Sequence, residues 1–136
     1  MPSQRPGGLL HEQLTFSIIG AFYEVHRRLG CGFREYIYAL ALAQELRDRG
    51  HHVEREVAVM VYYRGKPLAR QVMDMVVDHR VIIDNKVTDR LREADSLQLF
   101  GYLSATAIEV GLVLYFTRVP RFHRVICENH LKHRAP

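Results

Sequence analysis

The sequence lacks most of the features that mark secreted or membrane proteins. Only two cysteines, Cys31 and Cys127, occur in its 136 residues. They are too few for a disulfide framework, and neither falls in a CxxC or HxxxH spacing with other metal ligands. No apolar run approaches the roughly 20 residues needed to span a bilayer. The opening MPSQRPGGLLHEQ has no apolar stretch of the signal-peptide kind. The expectation is therefore a reduced, cytoplasmic protein with no membrane partner. Internal repeats, low-complexity segments and linkers are also missing. Charge of one sign is only mildly in excess: Lys and Arg number 19 against 15 Asp and Glu, with eight His, for a net charge of +4. That surplus suits a polyanionic partner, and it equally serves solubility.

What the sequence does carry is regular patterning over a length suited to one domain that buries about two-thirds of its unfolded surface. Leu14, Ile18, Phe22, Val25 and Leu29 recur at helical spacing and predict an amphipathic helix stopped by Gly30-Cys31-Gly32. A second helix is expected from Phe33 to Arg49, with Ile37, Leu40, Ala41 and Leu46 on its apolar stripe and Gly50 as its stop. The period then changes to two. Val53, Val57, Val59, Val61 and Tyr63 are predicted on one face of a strand, with Glu54, Glu56 and Tyr62 on the other. Arg64-Gly65-Lys66-Pro67 reads as a turn into a strand from Leu68 to Val77, and Asp78-His79-Arg80 as a turn into VIIDNK.

A third helix is predicted in ADSLQLFGYLSAT, with Leu97, Phe100 and Leu103 or Ser104 inward and Asp95 or Ser96 as its cap. VGLVLYF suits a fully buried strand and RFHRVICE an edge strand. The order gives an α/β or α+β fold with one mixed sheet. Residues 1–10 are expected to be a flexible arm, 11–128 a single domain and 129–136 a loose basic tail.

The hairpin makes a chemical prediction. If its turn is centred on His79, Asp74 lies opposite Asp84, and directly opposed side chains share a face with Cβ atoms about 4.5–5.5 Å apart. Lys86, two residues beyond Asp84, points the same way. Facing carboxylates repel, and a hard divalent cation neutralises them while leaving positions open for a phosphate. The lysine beside them suits metal-assisted phosphodiester hydrolysis. The register decides the matter, because a two-residue turn would send Asp74 and Asp84 to opposite faces. A bare D-x-K is by itself an ordinary solvent-facing pair.

An aspartate on one strand, D-x-K at the end of the next and Gln98 on the following helix resemble the PD-(D/E)XK nuclease-like superfamily, whose core is restriction-endonuclease-like, a central mixed sheet flanked by helices. IIGAFYEVHRRLGCGFREYIYALALAQELRDRG is similar to the GxxExxY group within it, with Gly32, Glu35 and Tyr38 at the naming positions, and QLFGYL stands in the place of that group's helix. The resemblance runs from about Ile18 to Phe116. It implies a nuclease with Mg²⁺ or Mn²⁺ as cofactor, Asp74, Asp84 and Glu35 as ligands with the backbone carbonyl of Asn85, Lys86 as the catalytic lysine, and Gln98 orienting water or substrate.

Several of these positions have a second reading. Glu35 follows Gly32 at a helix start, where a carboxylate favours the positive end of the dipole. Tyr38 shares its face and either bonds the glutamate or packs in the core. Gln98 on a lone helix is a solvated side chain, Tyr102 contacts substrate or packs, and His26 reaches the cleft or satisfies the core. Asn85 stands where the family has an apolar residue, Asp84 where this group more often has glutamate, and Thr117 where a glycine often follows the phenylalanine. The partner implied is DNA or RNA, with Arg27, Arg28, Arg118, Arg121, Arg124, Lys132 and Arg134 as phosphate contacts. The alternative is a nuclease-fold module that binds nucleic acid or protein without cleaving. An exposed edge strand also suits a homodimer.

Overall fold

Strand alternation in VIIDNK sets the architecture, because every residue from Val81 to Asn85 is buried and the segment can only sit in the middle of a sheet. The computed structural model describes residues 9–132. Its elements are α1 (Glu12–Leu29), α2 (Glu35–Asp48), β1 (Val53–Tyr63), β2 (Lys66–Val77), β3 (Val81–Lys86), α3 (Glu93–Ser104), β4 (Val110–Tyr115) and β5 (Arg121–Ile126), followed by a 3₁₀ turn at Asn129–Leu131. One five-stranded sheet runs β1-β2-β3-β4-β5. β3 and β4 are parallel and the other pairs antiparallel, with α3 as the crossover that a parallel pair requires. The fold is α+β with a mixed sheet. No helix among the described residues is long and apolar enough to cross a membrane.

Each face of the sheet has its own core. On one, Ile18, Phe22 and Val25 of α1 and Tyr38, Leu42 and Leu46 of α2 pack on Met75, Val77, Val81, Ile83 and Leu112. On the other, Leu99, Tyr102 and Leu103 of α3 pack on Met73, Val76, Ile82 and Val113. Phe116 joins the helix layer to the sheet, with the Tyr38 ring stacked on it at 4.6 Å and the Phe22 ring edge-on at 4.8 Å.

Several predicted faces are corrected. Val53 belongs to the α1/α2 core but Val59 to the α3 core, so the single face expected for β1 does not exist. Glu56 adopts φ 54° between them. This left-handed residue turns the strand over, and no glycine announces it. In α2 the buried stripe is Tyr38, Ala39, Leu42, Ala43 and Leu46, and Leu40 is exposed. In α3, Leu97 and Phe100 face solvent, while Asp95, Leu99, Tyr102 and Leu103 face inward. Neither Asp95 nor Ser96 caps α3, which starts from Arg92 without a side-chain cap bond.

The ends differ too. Leu10 packs against the α1/α2 core, so the expected arm overlaps the folded domain, and residues 1–8 lie outside the described residues. The start of the expected loose tail is docked. The Asn129 side chain donates to the Ala107 carbonyl at 2.9 Å, and Lys132 Nζ donates to the carbonyls of Thr106 and Ile108 at 2.9 and 2.8 Å.

Two glycines separate packing from propensity. A Cβ on Gly111 of β4 would lie 2.8 Å from Leu99, whereas one on Gly101, on the outer surface of α3, would meet nothing within 4 Å. Gly111→Ala is expected to cost about 1–3 kcal/mol by overpacking. Gly101→Ala should stabilise by about 0.5–1 kcal/mol because alanine loses less backbone entropy in a helix. Urea unfolding midpoints of the two variants check both signs, and a neutral Gly111→Ala would contradict the close α3–β4 contact.

Candidate metal centre

The expected hairpin register is observed for Met75–Ile83, Val76–Ile82 and Val77–Val81. The turn is closed by Arg80 N–H to the Val77 carbonyl at 3.0 Å. The ladder then stops one pair short of Asp74 and Asp84, which is a correction to the facing pair. Asp74 bonds to Asn85 instead. Its Oδ2 accepts the Asn85 backbone N–H at 3.1 Å and the Asn85 side-chain amide at 2.6 Å. A carboxylate thus takes the place of a backbone carbonyl at the point where β2 and β3 part.

Asp84 and Lys86 lie on the α3 side of β3 with Ile82. The Lys86 backbone carbonyl accepts Phe116 N–H at 2.8 Å, which fixes the end of the strand on β4. Lys86 Nζ lies 3.5 Å from Asp84 Oδ2 and donates to Gln98 Oε1 at 3.4 Å. The Lys86–Asp84 contact is an ion pair and falls short of hydrogen-bond geometry, because Asp84 Oδ2 is fully buried with no hydrogen-bond partner. Burial raises the Asp84 pKa to about 6; Lys86 opposes the shift and the Asp74 charge adds to it. Partial desolvation also raises Glu35, at the first turn of α2, with Lys86 opposing and Asp74, Asp84 and Asp95 contributing.

Asp84, Lys86 and Gln98 are thus brought together, with Asp74 held next to them by Asn85. Glu35 stands within reach of their charges. Tyr102 is buried beneath them, and its hydroxyl pKa is raised by burial and by Asp84. Other expected residues are elsewhere. Tyr38 does not bond Glu35: its hydroxyl donates to the Gly30 carbonyl at 2.6 Å and accepts Phe33 N–H at 3.3 Å, tying down the α1–α2 loop. His26 Nε2 meets the Thr117 carbonyl at 2.6 Å, so it satisfies the chain after β4. Arg124 donates to Thr15 Oγ1 at 3.0 Å and to the Leu10 carbonyl, and Lys132 is bonded internally as above, so both are engaged within the fold. Arg27 and Arg28 share the Glu24 carboxylate. Arg118 and Arg121 are exposed, and Arg134 lies outside the described residues.

Asp95 was missed as a site residue. Buried on α3, it accepts the Tyr115 hydroxyl at 2.9 Å and Arg92 at 3.0 Å. Burial works to raise its pKa, but the Arg92 and Tyr115 bonds outweigh it and hold the carboxyl low. Tyr115 is pushed up to about 12 by burial and by that carboxylate. The only sequence signal was an acid one helical turn before Leu99, on the stripe that packs inward.

The donor set fits a hard cation. An oxygen buried without a partner beside two further carboxylates is what an ion such as Mg²⁺ or Mn²⁺ satisfies. The three acids are not drawn tightly together, however. Among the described residues, the group of three side chains whose ligand atoms all lie within 4.8 Å of one another is His52, Glu54 and His79, at the other end of the hairpin.

The Asp84 shift has a direct consequence for stability. The folded chain holds this proton more tightly than the unfolded chain, so the contribution is fully present below about pH 4 and is lost as pH rises through about 6. In EDTA, Asp84→Asn should therefore gain about 3 kcal/mol over the parent at pH 8, with the gap closing toward pH 4. Urea midpoints at the two pH values measure it, and a gap independent of pH would refute the assignment.

Comparison with known proteins places this geometry in context. No curated protein matches the chain. The solved structure titled "Crystal structure of SSO0001" superposes with a TM-score of 0.56 over 85% of this chain and 77% of that one, at 14% sequence identity. At that identity the likeness speaks for the fold alone. The family model of the PD-(D/E)XK nuclease superfamily matches residues 12–125, a span that runs from the start of α1 to β5 and takes in Glu35, Asp74, Asp84, Lys86 and Gln98. The chain belongs to the PD-(D/E)XK nuclease superfamily.

Proposed function

We propose that the protein is a Mg²⁺- or Mn²⁺-dependent nuclease of the GxxExxY group that hydrolyses phosphodiester bonds in DNA or RNA. The observation that carries this reading is the buried Asp84 carboxylate, whose Oδ2 has no hydrogen-bond partner 3.5 Å from Lys86. Asp74, Asp84, Glu35 and the backbone carbonyl of Asn85 would hold the ion. When bound, it supplies charge compensation and Lewis acidity at the scissile phosphate.

The chain's own residues do the rest. Lys86, mostly buried and steadied by Gln98, presents a fixed positive charge where negative charge develops as water oxygen adds to phosphorus and the bond to the leaving oxygen breaks. The Asn85 amide keeps Asp74 from swinging out to solvent. Tyr102 and the Asp95–Tyr115 pair close the site from below and exclude water, which strengthens each of these interactions. Arg118 and Arg121 supply backbone contacts. The exposed edge of β5 supports a homodimer, and gel filtration would test it.

One observation favours the alternative of a binding module that no longer cleaves: Asn85, which takes Asp74 Oδ2 with both of its bonds and leaves only Oδ1 to an ion, has its own Oδ1 buried without a partner. Calorimetry with Mn²⁺ separates the two readings. Saturable binding that Asp74→Asn and Asp84→Asn both remove is expected for the nuclease, and no binding by the parent protein would leave the module. With metal and a nucleic-acid substrate, Lys86→Ala is expected to lower the cleavage rate by about 10²–10³-fold. Replacing Arg121 by Ala should reduce the salt dependence of nucleic-acid binding by about one unit of slope.

A further inference from the structure

The far end of the β2–β3 hairpin carries titratable groups that the nuclease reading does not use. His52 lies just before β1, Glu54 is its second residue, and His79 is in the β2–β3 turn. Glu54 Oε1 is 3.7 Å from His52 Nε2 and 3.3 Å from His79 Nδ1. The two imidazoles stack at 4.8 Å with their planes 26° apart. In a tetrahedral site with bonds of about 2.0–2.2 Å, ligand atoms stand about 3.3–3.5 Å from one another, so the carboxylate already sits at nearly the right distance from both rings.

The backbone beneath this cluster is fixed before any ligand arrives. Asp78 N–H donates to the His52 carbonyl at 2.8 Å, and His52 N–H returns a bond to Asp78 Oδ1 at 2.8 Å. Asp78 Oδ2 accepts His51 Nδ1–H at 2.7 Å, and His51 Nε2 meets Ser17 Oγ of α1 at 2.8 Å. Asp78 and His79 are both left-handed, at φ 51° and 56°. Asp and His tolerate this conformation better than most non-glycine residues, and the paired bonds to His52 hold it in place. The turn so held carries the His79 ring over that of His52.

We propose that His52, Glu54 and His79 form a second metal site, specific for a borderline transition ion of the Zn²⁺, Ni²⁺ or Cu²⁺ class. Two imidazoles and one carboxylate suit those ions, whereas Mg²⁺ prefers an all-oxygen shell. The site is separate from the acidic one: His79 and Asp84 are five residues apart along the hairpin, about 15 Å at strand rise. Two imidazolium rings stacked at this distance would repel, and two neutral rings can share one cation. With three protein ligands partly open to solvent, the ion keeps at least one exchangeable position. Its binding would clamp the start of β1 to the β2–β3 turn, so the protein gains stability from the ion by linkage.

The test uses the untagged full-length chain carrying Asp74→Asn and Asp84→Asn, which removes the acidic site from the count. Zn²⁺ alone is titrated by calorimetry, with Co²⁺ absorption as a second readout of coordination. One Zn²⁺ per chain and an upward shift in Tm with Zn²⁺ are expected. His79→Asn, which tolerates the left-handed turn, and Glu54→Gln should each weaken binding by more than the roughly 10- to 100-fold typical of losing an outer-shell partner. Both should also abolish the Zn²⁺-induced shift in Tm. Circular dichroism and the metal-free Tm verify that the variants fold. Absence of Zn²⁺ binding in the Asp74→Asn/Asp84→Asn protein, or binding that folded His79→Asn leaves intact, overturns the proposal.

Discussion

The candidate site depends on one constraint: β3 must be buried on both faces because it is the middle strand of five, yet its last three residues are an acid, an amide and a base. Burying a carboxylate is unfavourable unless a charge or several donors compensate it. For Asp84 the compensation is a single ammonium at 3.5 Å with imperfect geometry. The carboxyl therefore keeps its proton to about pH 6. Its neighbours follow from that deficit. Lys86 is held at the strand end by its backbone bond to Phe116, and Gln98 Oε1 accepts a hydrogen bond from its ammonium. Asp95 adds to the negative charge and is held in place by Arg92 and Tyr115.

Asn85 connects this arrangement to the opposite core. A buried apolar residue at the position would leave Asp74 Oδ2 only the backbone N–H of residue 85. The amide adds a second bond, at 2.6 Å, but its own Oδ1 is buried without a partner. An unsatisfied buried acceptor costs about 1–3 kcal/mol. The chain thus trades core stability on the α1/α2 side for a fixed Asp74 at the end of the sheet. Asp74 is thus held through Asn85, and Asp84 through Lys86.

Much of this was legible in the sequence where the cause was local. The β2–β3 register followed from a short turn and the alternation of apolar residues, and the elements followed from their periods. The failures have non-local causes. Glu56 inverts β1 with a left-handed backbone that carries no glycine signal. The inward stripe of α3 is set by the notch over Gly111, which admits Leu99, and by Tyr115, which gives a buried acid a partner. Those facts put Leu97 and Phe100 outside although both are more apolar than Asp95. Arg124 looked like a surface cation until the fold placed it against Thr15, more than a hundred residues earlier in the chain. Asp74 follows the expected register, but a strand partner cannot reveal that its side chain will take the Asn85 N–H beyond the last rung of the ladder.

The β2–β3 hairpin also has chemically unlike ends, and its geometry explains why. At the open end the strands part, the ladder loses a rung, and carboxylates and a lysine occupy the gap in a nearly dry environment. At the turn the chain must reverse within a few residues, which it does with two left-handed side-chain-bearing positions. Their cost is offset by reciprocal bonds to the His52 backbone. The first end concentrates hard oxygen donors where desolvation magnifies charge. The second concentrates imidazole at a rim where water screens it. Six residues of β3 therefore separate two environments with different donor chemistry, because an open strand end leaves backbone groups to be satisfied by charged side chains, and a tight turn draws its polar side chains onto the neighbouring strand.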